Sequence, residues 1–154
     1  MITIGDILHA RQIDLHLKAN TQEEAIFHVA SLLKDDERIK DWTTFYNGLK
    51  SSNPCVATGT EFQICIPHVR TNAVNDMVMA VGRSTEGIPV SKKKSDKIHY
   101  IFVAGVPTAL AADYLRIIGA LARVFSDNAA ELDLRKAARA EDFLAILAAH
   151  EMKL

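Results

Sequence analysis

Apolar residues recur along this chain with two periods, and the change from one to the other marks out its elements. Residues 4–8 have the length and pattern of one helical turn. Ile13-Asp14-Leu15-His16-Leu17 then alternates apolar and polar, the pattern of a half-buried strand. Further on, Ala25, Ile26, Val29, Leu32 and Leu33 share one face at helical spacing. Thr21 caps that helix, and Glu24, three residues on, completes a capping box for N–H groups otherwise left without partners. Residues 34–40 are a charged break and read as a solvated turn. Asp41 caps a second helix through Trp42, Phe45, Tyr46 and Leu49, which Ser51-Ser52-Asn53-Pro54 stops.

The middle of the chain reads as extended. Val56-Ala57-Thr58-Gly59-Thr60 is a short piece leading into Gln63-Ile64-Cys65-Ile66, where β-branched residues alternate. Pro67 has no N–H to give a ladder and ends that strand. His68 follows, placed where the strand leaves its sheet, the edge at which open α/β sheets bind ligands. After a polar loop over residues 70–75, residues 77–82 are apolar throughout and predict a strand buried on both faces. Gly87, Pro89 and the lysines Lys92, Lys93 and Lys94 read as loop. Residues 98–106 give the strongest strand, ended by Pro107. Everything from Thr108 is helical. Tyr114, Ile118, Leu121, Ala122 and Phe125 lie on one face of a long helix, and further helices cover about 129–138 and 140–150, the last with Phe143, Ile146 and Leu147 inward. Strands in the middle with helices on either side predict an α/β layered domain, with helices covering a small mixed sheet.

The totals narrow the class. At 154 residues the chain fits a single domain, residues 1–154, and its formal net charge of -1 points to neither nucleic acid nor an anionic membrane surface. No basic leader precedes an apolar segment and no apolar run reaches membrane-spanning length, so a soluble, cytoplasmic chain is expected. The two cysteines, Cys55 and Cys65, lack metal-ligand spacing; a disulfide framework is not expected and a reducing compartment is. No glycine-rich phosphate loop, zinc motif or nucleophile elbow is present, and no metal or organic cofactor is implied. His9, His16, His28, His99 and His150 read as surface or structural residues. The residues alone leave His68 open between a structural and a catalytic role.

Ile64-Cys65-Ile66-Pro67-His68 resembles the Gly-Ile-Ala-Ile-Pro-His motif of the IIA domains of the bacterial sugar phosphotransferase system (PTS), in the mannitol/fructose class that includes the nitrogen-regulatory IIA proteins. The start of the chain, the opening Thr21-Gln22-Glu23-Glu24-Ala25, residues 80–88, residues 98–104 with Pro107, and residues 114–123 follow the order of the same family. The resemblance implies a three-layer α/β sandwich of the EIIA type-2 kind and a phosphotransferase role. By it, His68 accepts a phosphoryl group from an HPr-like carrier and passes it to a separate IIB domain, or holds it as a signal to a regulatory target protein. Neutral imidazole is a good nucleophile near neutral pH, which suits the task. Tyr114, Arg70 and Thr58 are the candidate supports, the last as a hydroxyl donor.

The sequence departs from the family at several positions. Ser52 aligns with an arginine, with Lys50 the nearest cation; Tyr114 aligns with a second histidine; Gln63 replaces the motif glycine; and Val69 replaces a small residue. A tyrosine hydroxyl can donate to phosphate but carries no positive charge, and lysine replaces a bidentate arginine poorly. These departures motivate a second reading, a regulatory binding module with weak or no transfer. A third makes His68 a buried structural residue.

Overall fold

Alternating apolar runs build one mixed sheet between two layers of helices. The computed structural model describes residues 1–52, 63–89 and 97–151, together with the backbone of 55 and 56. Thr58 and the three lysines lie outside the described residues. The helices are α1 (Ile4–Ile7), α2 (Gln22–Ser31), α3 (Trp42–Lys50), α4 (Ala111–Ser126), α5 (Asn128–Lys136) and α6 (Ala140–Glu151). The strands are β1 (Ile13–Asp14), β2 (Cys55–Val56), β3 (Gln63–Cys65), β4 (His68–Arg70), β5 (Val78–Pro89) and β6 (Lys97–Val106). Their order is β1-β5-β6-β3-β2, with β4 also on β6. The β5–β6 and β2–β3 pairs are antiparallel and the others parallel.

Side-chain alternation on β6 divides the core in two. Tyr100, Phe102, Ala104 and Val106 join the cluster formed with α1, α4, α5 and α6, in which Phe125 meets the Tyr100 ring at 4.7 Å and the Phe102 ring at 5.5 Å. Ile101 and Val103 face the opposite way, into the cluster with α2 and α3. The three-layer architecture expected from the resemblance is therefore present. Both predicted caps form, since Thr21 Oγ1 accepts from Glu24 N and Asp41 Oδ1 from Thr44 N, each at 3.1 Å, but the box at Thr21 is not reciprocal: the Glu24 carboxylate accepts from Asn20 N at 3.4 Å. Far from these, the amide of Ile4 donates to both carboxylate oxygens of Glu151, at 3.0 and 3.1 Å, and ties α1 to the end of α6.

Several expectations are corrected. The predicted strand over 13–17 is a ladder at Ile13 and Asp14 and then turns, with Leu17 N donating to the Arg83 carbonyl of β5 at 3.1 Å; Leu15 and Leu17 are buried as the alternation requires. Gly87 and Pro89 belong to β5. Residues 84–87 bulge out opposite His99, Gly87 takes φ 85°, and pairing resumes with Ile88 opposite Ile98. The charged break at 34–40 is not simply solvated, because Asp36 is almost fully enclosed by Arg38 and Gln12. On α4 the inward face carries Ile117 and Val124, with Ile118 only partly buried. Cys65 is disulfide-bonded, against the expectation of reduced thiols, and Cys55 stands opposite it in register.

Candidate functional site

Pro67 does interrupt the strand that precedes His68, but the chain does not leave the sheet there. The carbonyl of Pro67 accepts from Ala104 N at 3.0 Å. The ladder then resumes as β4, with His68 opposite Ala104, Val69 opposite Gly105 and Arg70 opposite Val106. Because successive side chains of a strand point to opposite faces, His68 and Arg70 share one side and both are exposed, while Val69 packs toward α3.

The orientation of the imidazole is set by its own backbone. His68 Nδ1 lies 2.8 Å from the carbonyl oxygen of Ile66. A carbonyl only accepts, so Nδ1 carries a hydrogen, and in the neutral ring the lone pair is on Nε2. Tyr114, from α4, packs its ring against the imidazole with centroids 5.1 Å apart and planes 43° from parallel. The Tyr114 residue is 6% exposed, and burial pushes its phenol far above the usual range. Its hydroxyl is buried and has no hydrogen-bond partner among the described residues. Thus the ring, rather than the hydroxyl, meets His68.

A cavity of about 450 Å³ opens beside these groups, with His68, Arg70, Ser52, Tyr114 and Leu115 among its lining residues. Arg70 makes no hydrogen bond or ion pair among the described residues and is the one lysine or arginine of the lining. Ser52, at the position aligned with the family arginine, lines the same cavity and donates its hydroxyl to the Leu49 carbonyl at 2.9 Å. Lys50 is turned elsewhere, its Nζ 5.3 Å from the centre of the Tyr46 ring. The structure therefore brings His68, Tyr114 and Arg70 together; Thr58 lies outside the described residues. Sequence reading missed Leu115, 70% exposed at this cavity, and Gly48 in its wall. A lone glycine inside a helical run was the available signal for Gly48.

Two other polar clusters lie outside this cavity. Asp36, Arg38 and Gln12 form the first; Arg38 beside Asp36 holds that carboxyl well below the ordinary carboxylate range. In the second, Glu131 is 1% exposed, accepts from the Tyr100 hydroxyl at 2.9 Å, and is paired with Arg135. No helix among the described residues is long and apolar enough to cross a membrane.

Comparison with known proteins places the chain. The family model described as phosphoenolpyruvate-dependent sugar phosphotransferase system, EIIA 2, matches residues 6–150. A fructose-specific EIIA component of Haloferax volcanii is 32% identical over 120 residues, 78% of each chain. The fructose-specific EIIABC component of Bacillus subtilis is 20% identical over 148 residues, which is 96% of this chain and 23% of that protein. Among solved structures, nitrogen regulatory IIA-Ntr from Neisseria meningitidis superposes with a TM-score of 0.79 at 22% identity, covering 94% of this chain and 98% of its own. Mannitol IIA from Escherichia coli, in its complex with phosphorylated mannitol IIB, gives 0.73 at 17% identity, covering 93% and 99%. At those identities the structures speak for the fold.

Proposed function

The chain belongs to the EIIA 2 family of the phosphoenolpyruvate-dependent sugar phosphotransferase system, and within it we propose that this protein is a phosphoryl carrier with His68 as the acceptor. The observation that supports this most is the bond from His68 Nδ1 to the Ile66 carbonyl, which leaves Nε2 open on an exposed side chain. In the proposed step Nε2 attacks the phosphorus held by an HPr-like donor. The Nε2–P bond forms as the donor's P–N bond breaks, and the donor nitrogen keeps that electron pair. The Nδ1 proton stays where it is, so the transfer needs positioning and charge rather than a separate base.

Arg70 supplies the positive charge for the phosphoryl oxygens, Tyr114 confines the ring, and Thr58 is retained as a hydroxyl donor on the resemblance alone. The onward acceptor is a IIB domain, a proposal supported by the relative solved with phosphorylated IIB. Residues 1–154 acting as one domain, and a cytoplasmic setting, belong to the same reading. The Cys65 disulfide is the feature that argues for an oxidising environment instead.

A second reading, a regulatory module that docks on a partner protein, is favoured by one observation. Where the family carries an arginine, Ser52 leaves Arg70 as the lone lysine or arginine lining the cavity among the described residues. Intact-protein mass after incubation with phosphoenolpyruvate, enzyme I and HPr separates the two. The carrier predicts an acid-labile gain of one phosphoryl group in the parent and none in His68→Ala, which is exposed and keeps its fold. No gain in the parent favours the regulatory module.

A further inference from the structure

We infer that Gly48 is a positioning residue for His68: by carrying no side chain it lets α3 sit directly against Val69, and that contact fixes the short strand from which the imidazole projects. The inference rests on the reading of His68 as phosphoryl acceptor.

Gly48 is costly where it stands. A glycine inside a helix is less stable than alanine, and Gly48 lies within α3. Its backbone does not call for glycine, since the positive φ among the described residues is at Gly87. The reason is space. A Cβ at residue 48 would lie 2.5 Å from Val69 Cγ2 and 3.1 Å from Val69 Cβ. Valine is branched at Cβ and stiff at χ1, and its Cβ is carried by the strand itself, so the side chain cannot swing clear.

The same helix seats a second contact on the adjacent rung. Gly105 is the register partner of Val69, and a Cβ there would lie 2.6 Å from Phe45 Cε1. Phe45 and Gly48 are one helical turn apart on α3, so together they clasp the Val69–Gly105 pair across β4 and β6. β4 has three residues and, among the described residues, a single sheet neighbour, β6. The clasp is therefore its main support from outside the sheet. Val69 lies between His68 and Arg70, so a methyl at residue 48 displaces both, together with the 2.8 Å bond from His68 Nδ1 to Ile66. Tight interiors do not absorb such a methyl without shifts.

The test compares Gly48→Ala with the double variant Gly48→Ala/Val69→Ala, which removes the obstructing methyls. Two quantities are read: the nitrogen-15 NMR pattern of His68, which reports its tautomer without any transfer, and the initial rate of phosphoryl uptake from HPr. Gly48→Ala is expected to lose the single Nδ1–H pattern and to slow uptake by about tenfold or more, since small misplacements of a reacting group carry such costs. The double variant is expected to regain both. Should Gly48→Ala fail to fold, a double variant that folds with parent tautomer and rate still supports the clasp. Parent values in Gly48→Ala, or a double variant no better than the single one, would overturn it. If the parent itself takes up no phosphate, the carrier reading fails, while the tautomer pattern still decides the role of Gly48.

Discussion

The clasp at Asp36 and the cavity at His68 both bring polar groups together, and they differ in whether those groups are satisfied. Asp36 Oδ1 accepts from the Arg38 amide and from Arg38 Nε, both at 2.9 Å, and Oδ2 accepts from another guanidinium nitrogen at 2.8 Å. Arg38 also donates to the carbonyls of Ile7 at 3.0 Å and Met77 at 3.2 Å. Such a cluster joins four segments of chain and has its bonding used internally. At the other site, Nε2 of His68, the Arg70 guanidinium and the Tyr114 hydroxyl have no hydrogen-bond partner among the described residues. Of these the Tyr114 hydroxyl is buried, where polar groups are normally paired, while His68 and Arg70 face solvent. Saturated groups stabilise the fold, whereas open ones await something from outside it.

Substitutions at three residues put that contrast at risk. The largest effect is expected from Arg38→Ala, which strips the 3%-exposed Asp36 side chain of its guanidinium partner and leaves it Gln12 and, 4.0 Å away, the largely exposed Arg11. Breaking such a pair costs about 3–5 kcal/mol, to be read from urea unfolding, while phosphoryl uptake per folded molecule should hold. A loss of uptake with stability kept would reverse the assignment of the two regions. Next comes Arg70→Ala. A hydrogen bond to a charged group contributes about 1.5–3 kcal/mol, so uptake should slow roughly 10- to 100-fold with the melting temperature little changed. Arg70→Lys should recover only part, because it lacks the planar fork. The smallest change is expected from Tyr114→Phe, which keeps the ring and removes a buried hydroxyl with no partner. Stability should rise by up to about 1 kcal/mol, and uptake should fall less than in Arg70→Ala. A fall as deep as that of Arg70→Ala would mean that the hydroxyl reaches the phosphoryl group after all.

What was legible in the sequence was whatever is decided by near neighbours. The start of α2 is an example: Thr21 and Glu24 are close in the chain and meet as the spacing requires. The strands over 77–82 and 98–106 were legible because burial on both faces demands unbroken apolar runs. Residues 34–40 misled because the groups that enclose their charges, Gln12 and the carbonyls of Ile7 and Met77, are distant in sequence. Arg83 has distant partners of the same kind. It ends an apolar run, yet it is buried in β5 because the carbonyls of Leu134 and Ala137 accept from it at 2.8 and 2.7 Å. The inward face of α4 was misjudged because apolar residues surround much of that helix, so its period alone does not choose between Ile117 and Ile118. At the candidate site, His68 stood out from its Pro67 context, and Arg70 joined it by the two-residue period of β4. Gly48 could not be read in this way, since its reason is a valine on another element.

The bond between Ile4 and Glu151 also orders events in time. These residues are 147 positions apart, and contacts so distant in sequence form slowly because the intervening chain must first be arranged. During synthesis α1 is made early, yet the carboxylate that anchors it emerges only with the end of α6. The amide of Ile4 must wait, bound to water, while the residues between it and Glu151 are translated. The turn of α1 thus settles later than the elements between it and α6, and a chain released before residue 151 would leave it without its anchor.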